Sequence, residues 1–127
     1  MSVQVRLTDG ALGKMEELPA VQGSGARIVF DGIVRPSEDG NEIAGLDYEA
    51  YRPMAEQQLE RIGKQLVEKH GLLAMDIEHS FGHVPNFMRS FRLVIDSKHR
   101  KEGLKAMDEF IDLLKQDVPI WKRVKST

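Results

Sequence analysis

An α+β fold with a mainly antiparallel sheet is what this sequence predicts, and three patterns carry the prediction. Apolar residues alternate at Val3, Val5 and Leu7 and again at Phe91, Leu93 and Ile95, the period of a half-buried strand. They recur at helical spacing in Met54, Leu59, Ile62, Leu66 and Val67, and in Leu104, Met107, Phe110, Ile111 and Leu114. Turn chemistry around Pro36 to Asn41 and around Pro85 to Arg89 folds neighbouring strands back as hairpins. The resulting order, β-α-β-β-α-β-β-α, fits α+β better than a parallel doubly wound sheet, in a single domain spanning residues 1–127.

After the first strand, Thr8 or Asp9 can cap a short helix containing Leu12, Met15 and Leu18. The stretch from Ala20 to Gly25 is a loop. Arg27 to Arg35 then reads as a largely buried strand, ended by Pro36 and the polar run Ser37-Glu38-Asp39-Gly40-Asn41. A second strand, Ile43 to Tyr51, returns from that turn. Pro53 suits the first turn of the next helix, which stops at His70-Gly71. Strand character resumes through Leu73, Met75 and Ile77 to Val84, pauses at Pro85-Asn86, and returns with Phe91. The last helix follows Ser97, and Pro119 must end it.

Composition excludes several kinds of function. A chain of 127 residues can bury a core without staples, and its lack of cysteine rules out disulfides, thiolate metal sites and a cysteine nucleophile. A formal charge of −2, with no long basic tract, gives no reason to expect nucleic-acid binding. No apolar stretch approaches the roughly 20 residues that span a bilayer, and Met1 to Arg6 carries no apolar leader core, so a cytoplasmic protein without a membrane segment is expected. His79 and His83 would sit roughly 13 Å apart on an extended segment, so no metal site is expected there.

The cations are where chemistry is concentrated. Lys115 and Lys122 bracket Val118-Pro119-Ile120-Trp121, with Pro119 ending the helix beside the first and Trp121 anchoring, in the core or at an interface, the extension that carries the second. His99-Arg100 lie upstream, and Arg35 ends an apolar run. Together they suggest a socket for a small anion, in which arginines hold phosphate oxygens in bidentate fashion and His99 binds phosphate or shuttles protons. Two lysines crowded into one partly dry site would also leave one amine able to act as nucleophile or base. Taken singly, each residue has a plainer reading: Lys115 as a complement to the helix dipole, Arg35 as a turn flank, His99-Arg100 as a helix opening.

Four strings, in order, carry a family resemblance: Phe30-Asp31-Gly32-Ile33-Val34-Arg35; Leu46-Asp47-Tyr48-Glu49-Ala50-Tyr51-Arg52-Pro53-Met54-Ala55-Glu56; His99-Arg100; and Leu114-Lys115 through Pro119-Ile120-Trp121-Lys122. From about Gly25 to Arg123 the chain resembles the catalytic large subunits of molybdopterin synthase. The resemblance implies a single-domain α/β-hammerhead-like fold and a sulfur transferase that converts cyclic pyranopterin monophosphate (precursor Z) to molybdopterin. The sulfur would come from the thiocarboxylated C-terminus of a small ubiquitin-like subunit. It further implies a homodimer within a heterotetramer and no cofactor of the enzyme's own.

Carried over by position, the implied substrate contacts fall on Ile33, Val34 and Arg35, on His99 and Arg100, on Lys115, and on Lys122, Arg123 and Val124, with Lys115 and Lys122 catalytic. The chain departs from the family pattern at Phe87-Met88, where a glycine and an acid are common, and in having only five residues after Lys122. A non-catalytic homologue that binds a ubiquitin-like sulfur carrier, and a structural dimer whose cations only satisfy helix ends, are the other readings. The joint presence of Arg35, His99, Arg100, Lys115 and Lys122 favours the enzyme.

Overall fold

The computed structural model describes residues 2–126, so Met1 and Thr127, the ends of the expected domain, lie outside the described residues. Nine elements follow in chain order: β1 (Val3–Asp9), β2 (Ala26–Ile33), β3 (Ser37–Glu38), β4 (Asn41–Ala50), α1 (Met54–His70), β5 (Ala74–Pro85), β6 (Arg89–Ser97), α2 (Arg100–Asp117) and β7 (Ile120–Ser126). The strands form one sheet in which β2, β6, β5, β4 and β3 are successive neighbours. β1 is added parallel to β5, and β7 antiparallel to β4. The other pairings are antiparallel, so the α+β, mainly antiparallel class is the one observed.

Both helices cover one face. Leu59, Ile62 and Leu66 of α1 and Ala106 and Phe110 of α2 pack against Met75, Ile77, Leu93 and Ile95 of the sheet. Gly103 sets how closely α2 approaches: a Cβ there would lie 2.6 Å from Ile28 Cδ1 and 2.8 Å from Ser97 Oγ, so a larger side chain would push the helix start off the sheet. Beyond Phe81, β5 bends at Gly82 (φ 80°) and passes from β1 to β4, with a second small core of Val34, Ile43, Leu46 and Val84 under the bend.

The order of elements differs from expectation in two places. No helix forms around Leu12, Met15 and Leu18. Leu12 is buried and its amide donates to the Arg89 carbonyl, which pins the segment as an extended cover. The carbonyls of Gly13, Leu18 and Pro19 are taken by the guanidinium groups of Arg92 and Arg27 rather than by a helical ladder. Leu18 is exposed, so the apparent helical stripe has no core to meet. Conversely, the tail expected as an extension is the strand β7, pairing from Ala50–Ile120 to Ile43–Ser126. Exposed along nearly its whole length, it shows no alternating apolar signal, and backbone pairing holds it. Trp121 is 56% exposed and so is not a core anchor.

The hairpins also differ in extent. Asp39 and Gly40 both adopt positive φ, and that tight turn joins only the two-residue β3 to β4, while β2 pairs with β6. Around Pro85 to Arg89 the expected hairpin of β5 and β6 forms.

One buried titratable group gives the fold a pH dependence. His79 is enclosed by Tyr48 and Phe91, its Nδ1 2.7 Å from the Ser80 carbonyl. Burial pushes its pKa below the ordinary imidazole value, and that carbonyl only partly opposes the shift. The unfolded chain takes up this proton near pH ~6.5 and the native one does so only at lower pH, so stability should be full above that point and fall below it. Urea midpoints at neutral and mildly acidic pH should show the loss, and His79→Gln should flatten it. An equal slope in the variant would clear His79 as the cause.

Candidate functional site

Arg35 lies two residues beyond the end of β2 and is exposed, as is Ile33, whereas the Val34 side chain between them is buried in the small core. Val34 also spends both backbone groups on the β6 hairpin: its amide donates to the Met88 carbonyl and its carbonyl accepts from the Phe87 amide. That clamp leaves its neighbours, Ile33 and Arg35, directed outward. The Pro36 carbonyl accepts from the Ile43 amide at 3.0 Å, tying the Arg35 loop to β4.

Lys122 lies on β7 opposite Tyr48 of β4, and its Nζ donates to Glu38 Oε1 at 3.0 Å. The nearest charge that the structure gives Lys122 is thus a carboxylate three residues from Arg35, not a second ammonium. Arg123 lies 3.5 Å from Glu49, and Val124 pairs with Leu46 in register, both exposed. Lys115 is exposed in the last turn of α2, where the unpaired helical carbonyls favour a cation. Val118 and Pro119 lead from that turn into β7, and the Pro119 carbonyl accepts from the Tyr51 amide at the end of β4. Lys122 is thereby brought to the turn that follows Arg35, and Lys115 stands seven residues before Lys122, at the end of α2 that leads into β7.

His99 and Arg100 stand apart from these residues. His99 is the N-cap of α2 in extended conformation, its carbonyl accepting from Ser97 Oγ at 2.6 Å, and both side chains are exposed beside the helix N-terminus, a position suited to an anion. Fifteen residues of helix separate Arg100 from Lys115, roughly 22 Å at about 1.5 Å per residue. The sheet gives the same span: Ala26 lies opposite Ser97 and Ile33 opposite Arg89, ends of β2 that are roughly 23 Å apart at about 3.3 Å per residue. One copy of the chain holds the predicted cations as two separate groups.

A cavity of about 780 Å³ lies elsewhere, between the sheet face away from the helices and the segment around residues 13–21. Its three arginines are already engaged: Arg6 with Asp76, Arg27 with Asp96, and Arg92 with Asp31 across the same face. It contains none of the predicted residues. Sequence reasoning did miss Glu38, whose place in a polar turn carries no hint that it meets a lysine 84 positions away. No group of three or more His, Cys, Asp or Glu among the described residues could hold a metal ion; His83 is instead paired with Asp47.

Fold and site together define a two-layer α+β protein with exposed cations at both ends of α2. The chain belongs to the MoaE protein family, whose model matches residues 7–117. It is 37% identical over 113 residues to a protein of Culex quinquefasciatus named molybdopterin synthase catalytic subunit, an alignment covering 88% of this chain and 72% of that protein. Among solved structures, molybdopterin synthase from Staphylococcus aureus aligns with TM-score 0.79 at 35% identity, over 84% of this chain and 78% of that one. A chain from the complex of subunits 1 and 2 of molybdopterin-converting factor of Helicobacter pylori aligns with TM-score 0.74 at 27% identity, over 94% and 83%.

Proposed function

We propose that this chain is the catalytic subunit of a molybdopterin synthase, acting as one domain over residues 1–127. It transfers sulfur from the thiocarboxylated C-terminus of a small ubiquitin-like subunit to cyclic pyranopterin monophosphate. It works in the cytoplasm as a homodimer flanked by two such carriers. The reading is supported by the Lys122–Glu38 contact, which brings β7 to the turn after Arg35, in a chain of this family. Arg35 and Arg100 hold phosphate oxygens by charge-assisted hydrogen bonds. Lys115, at the helix end, faces the carrier's terminal carbonyl, whereas Lys122, together with Ile33, Arg123 and Val124, faces the pterin. His99 supplies a donor at the helix N-terminus, where an anion is already favoured. No helix among the described residues is long and apolar enough to cross a membrane.

The test is direct: the purified chain, incubated with cyclic pyranopterin monophosphate and thiocarboxylated small subunit, should yield molybdopterin. Absence of product with a carrier active toward another synthase would overturn the proposal. Arg100→Ala should weaken pyranopterin binding about tenfold or more, the value of one charge-assisted contact, without altering the fold. Unchanged affinity by calorimetry would remove His99-Arg100 from the site.

A further inference from the structure

Lys122 is held by a carboxylate from a distant part of the chain. Glu38 Oε1 accepts from Lys122 Nζ at 3.0 Å, and the glutamate is the less exposed of the two side chains, 21% against 54%. Among the described residues Glu38 has no other ion-pair partner. Its backbone has little freedom. Asp39 at φ 51° and Gly40 at φ 81° make a two-residue turn, Glu38 pairs with Asn41 across it, and the Pro36 carbonyl accepts from the Ile43 amide. Arg35 stands at the foot of this hairpin.

Strand register shows how far the contact reaches. Glu38 lies opposite Asn41 and Lys122 opposite Tyr48, both on β4. On a straight strand those two positions would be roughly 23 Å apart at about 3.3 Å per residue, more than a glutamate, a lysine and one hydrogen bond can bridge. β4 must therefore bend between them, and its pairing with β7 shifts register between Ile43 and Gly45. Gly45 has φ 149°, and a Cβ there would lie 2.7 Å from both His83 Cε1 and the Val84 carbonyl oxygen, so only glycine fits the bend. The bend turns the hairpin back toward β7, and the ion pair fastens it there.

Fastening has a chemical use. A lysine ammonium rides on a flexible four-carbon stem, and β7, exposed nearly throughout, has one strand neighbour among the described residues, β4. Glu38 takes one of the three ammonium donors and directs the head group to the turn after Arg35, which leaves two donors for a substrate oxygen. We infer that Glu38 is a positioning residue for Lys122: it braces the ammonium, and β7 with it, at a fixed place relative to the Arg35 hairpin. The part it plays in turnover rests on the function proposed above; the brace does not. A carboxylate also repels an anionic substrate, so a brace and a mere competitor for the ammonium predict effects of opposite sign.

An ion pair this exposed is worth about fivefold in an equilibrium at most, and that scale sets the expectations. Without substrate, Glu38→Gln should speed amide hydrogen exchange across Ile120–Ser126 by about fivefold and leave α1 unchanged. Equal exchange in β7 would overturn the brace. In the molybdopterin assay the same variant should lose about fivefold in kcat/KM for the pyranopterin, and Glu38→Asp, one methylene shorter, should not restore it. Added to Lys122→Ala, Glu38→Gln should change pyranopterin affinity no further by calorimetry, because it acts through the ammonium.

A full additional loss in the Lys122→Ala background, or tighter pyranopterin binding once the carboxylate is removed, would overturn the positioning role. Wild-type protein that forms no molybdopterin would remove the functional reading and the part of Glu38 in turnover together, and exchange in β7 would still decide the brace.

Discussion

Lys115→Ala is expected to lower molybdopterin formation by about a hundredfold or more, the scale of losing one group aimed at developing charge, while affinity for the pyranopterin stays nearly intact. The position argues for this split. Lys115 closes α2 at the turn into β7, on a different segment from Arg35 and Lys122, so it can face the incoming carrier tail while the others hold the pterin. Lys122→Ala should instead weaken binding and turnover together. Lys115→Arg keeps the charge but cannot give up its proton, so it separates electrostatic from acid–base or nucleophilic use of the amine. Assays with saturating carrier, paired with calorimetry on the pyranopterin, provide both readouts. Near-native turnover by Lys115→Arg would reduce the lysine to a positive charge.

The largest effect on stability should come from Phe110→Ala, at about 3–5 kcal/mol. Phe110 is fully buried on α2 and stacks on Phe91 of β6, ring centroids 6.1 Å apart. Removing it empties the space between α2 and the sheet, which the surrounding backbone cannot close. Denaturant unfolding should show a lower midpoint with an unchanged slope. A loss below about 1 kcal/mol would mean that the helix settles onto the sheet, and α2 would then be a poor fixed mount for Lys115.

Both helices were legible because each buries a continuous stripe at helical period, as Leu59, Ile62 and Leu66 do on α1. β1 and the middle of β6 were legible through strict alternation. The first expected helix failed because Leu12, Met15 and Leu18 share a spacing but not a core: only Leu12 is buried, and arginine side chains compete for the segment's carbonyls. β7 was hidden for the opposite reason, since an exposed strand is specified by backbone pairing, which leaves no mark on side-chain polarity. The identities of the site cations were readable as motifs, but their separation was not. Motif order says nothing about which residues a straight 18-residue helix holds apart.

That helix has a consequence for how the chain can vary in length. An insertion within α2 would carry Lys115 about 1.5 Å further from Arg100 and swing it about 100° around the axis, away from the turn into β7. The segment from Gly13 to Val21 mounts none of the site cations, and an added residue there would leave both groups where they stand. The effect of an insertion is thus divided along the chain: one in the cover leaves the site cations in place, whereas one within α2 moves Lys115 relative to Arg100.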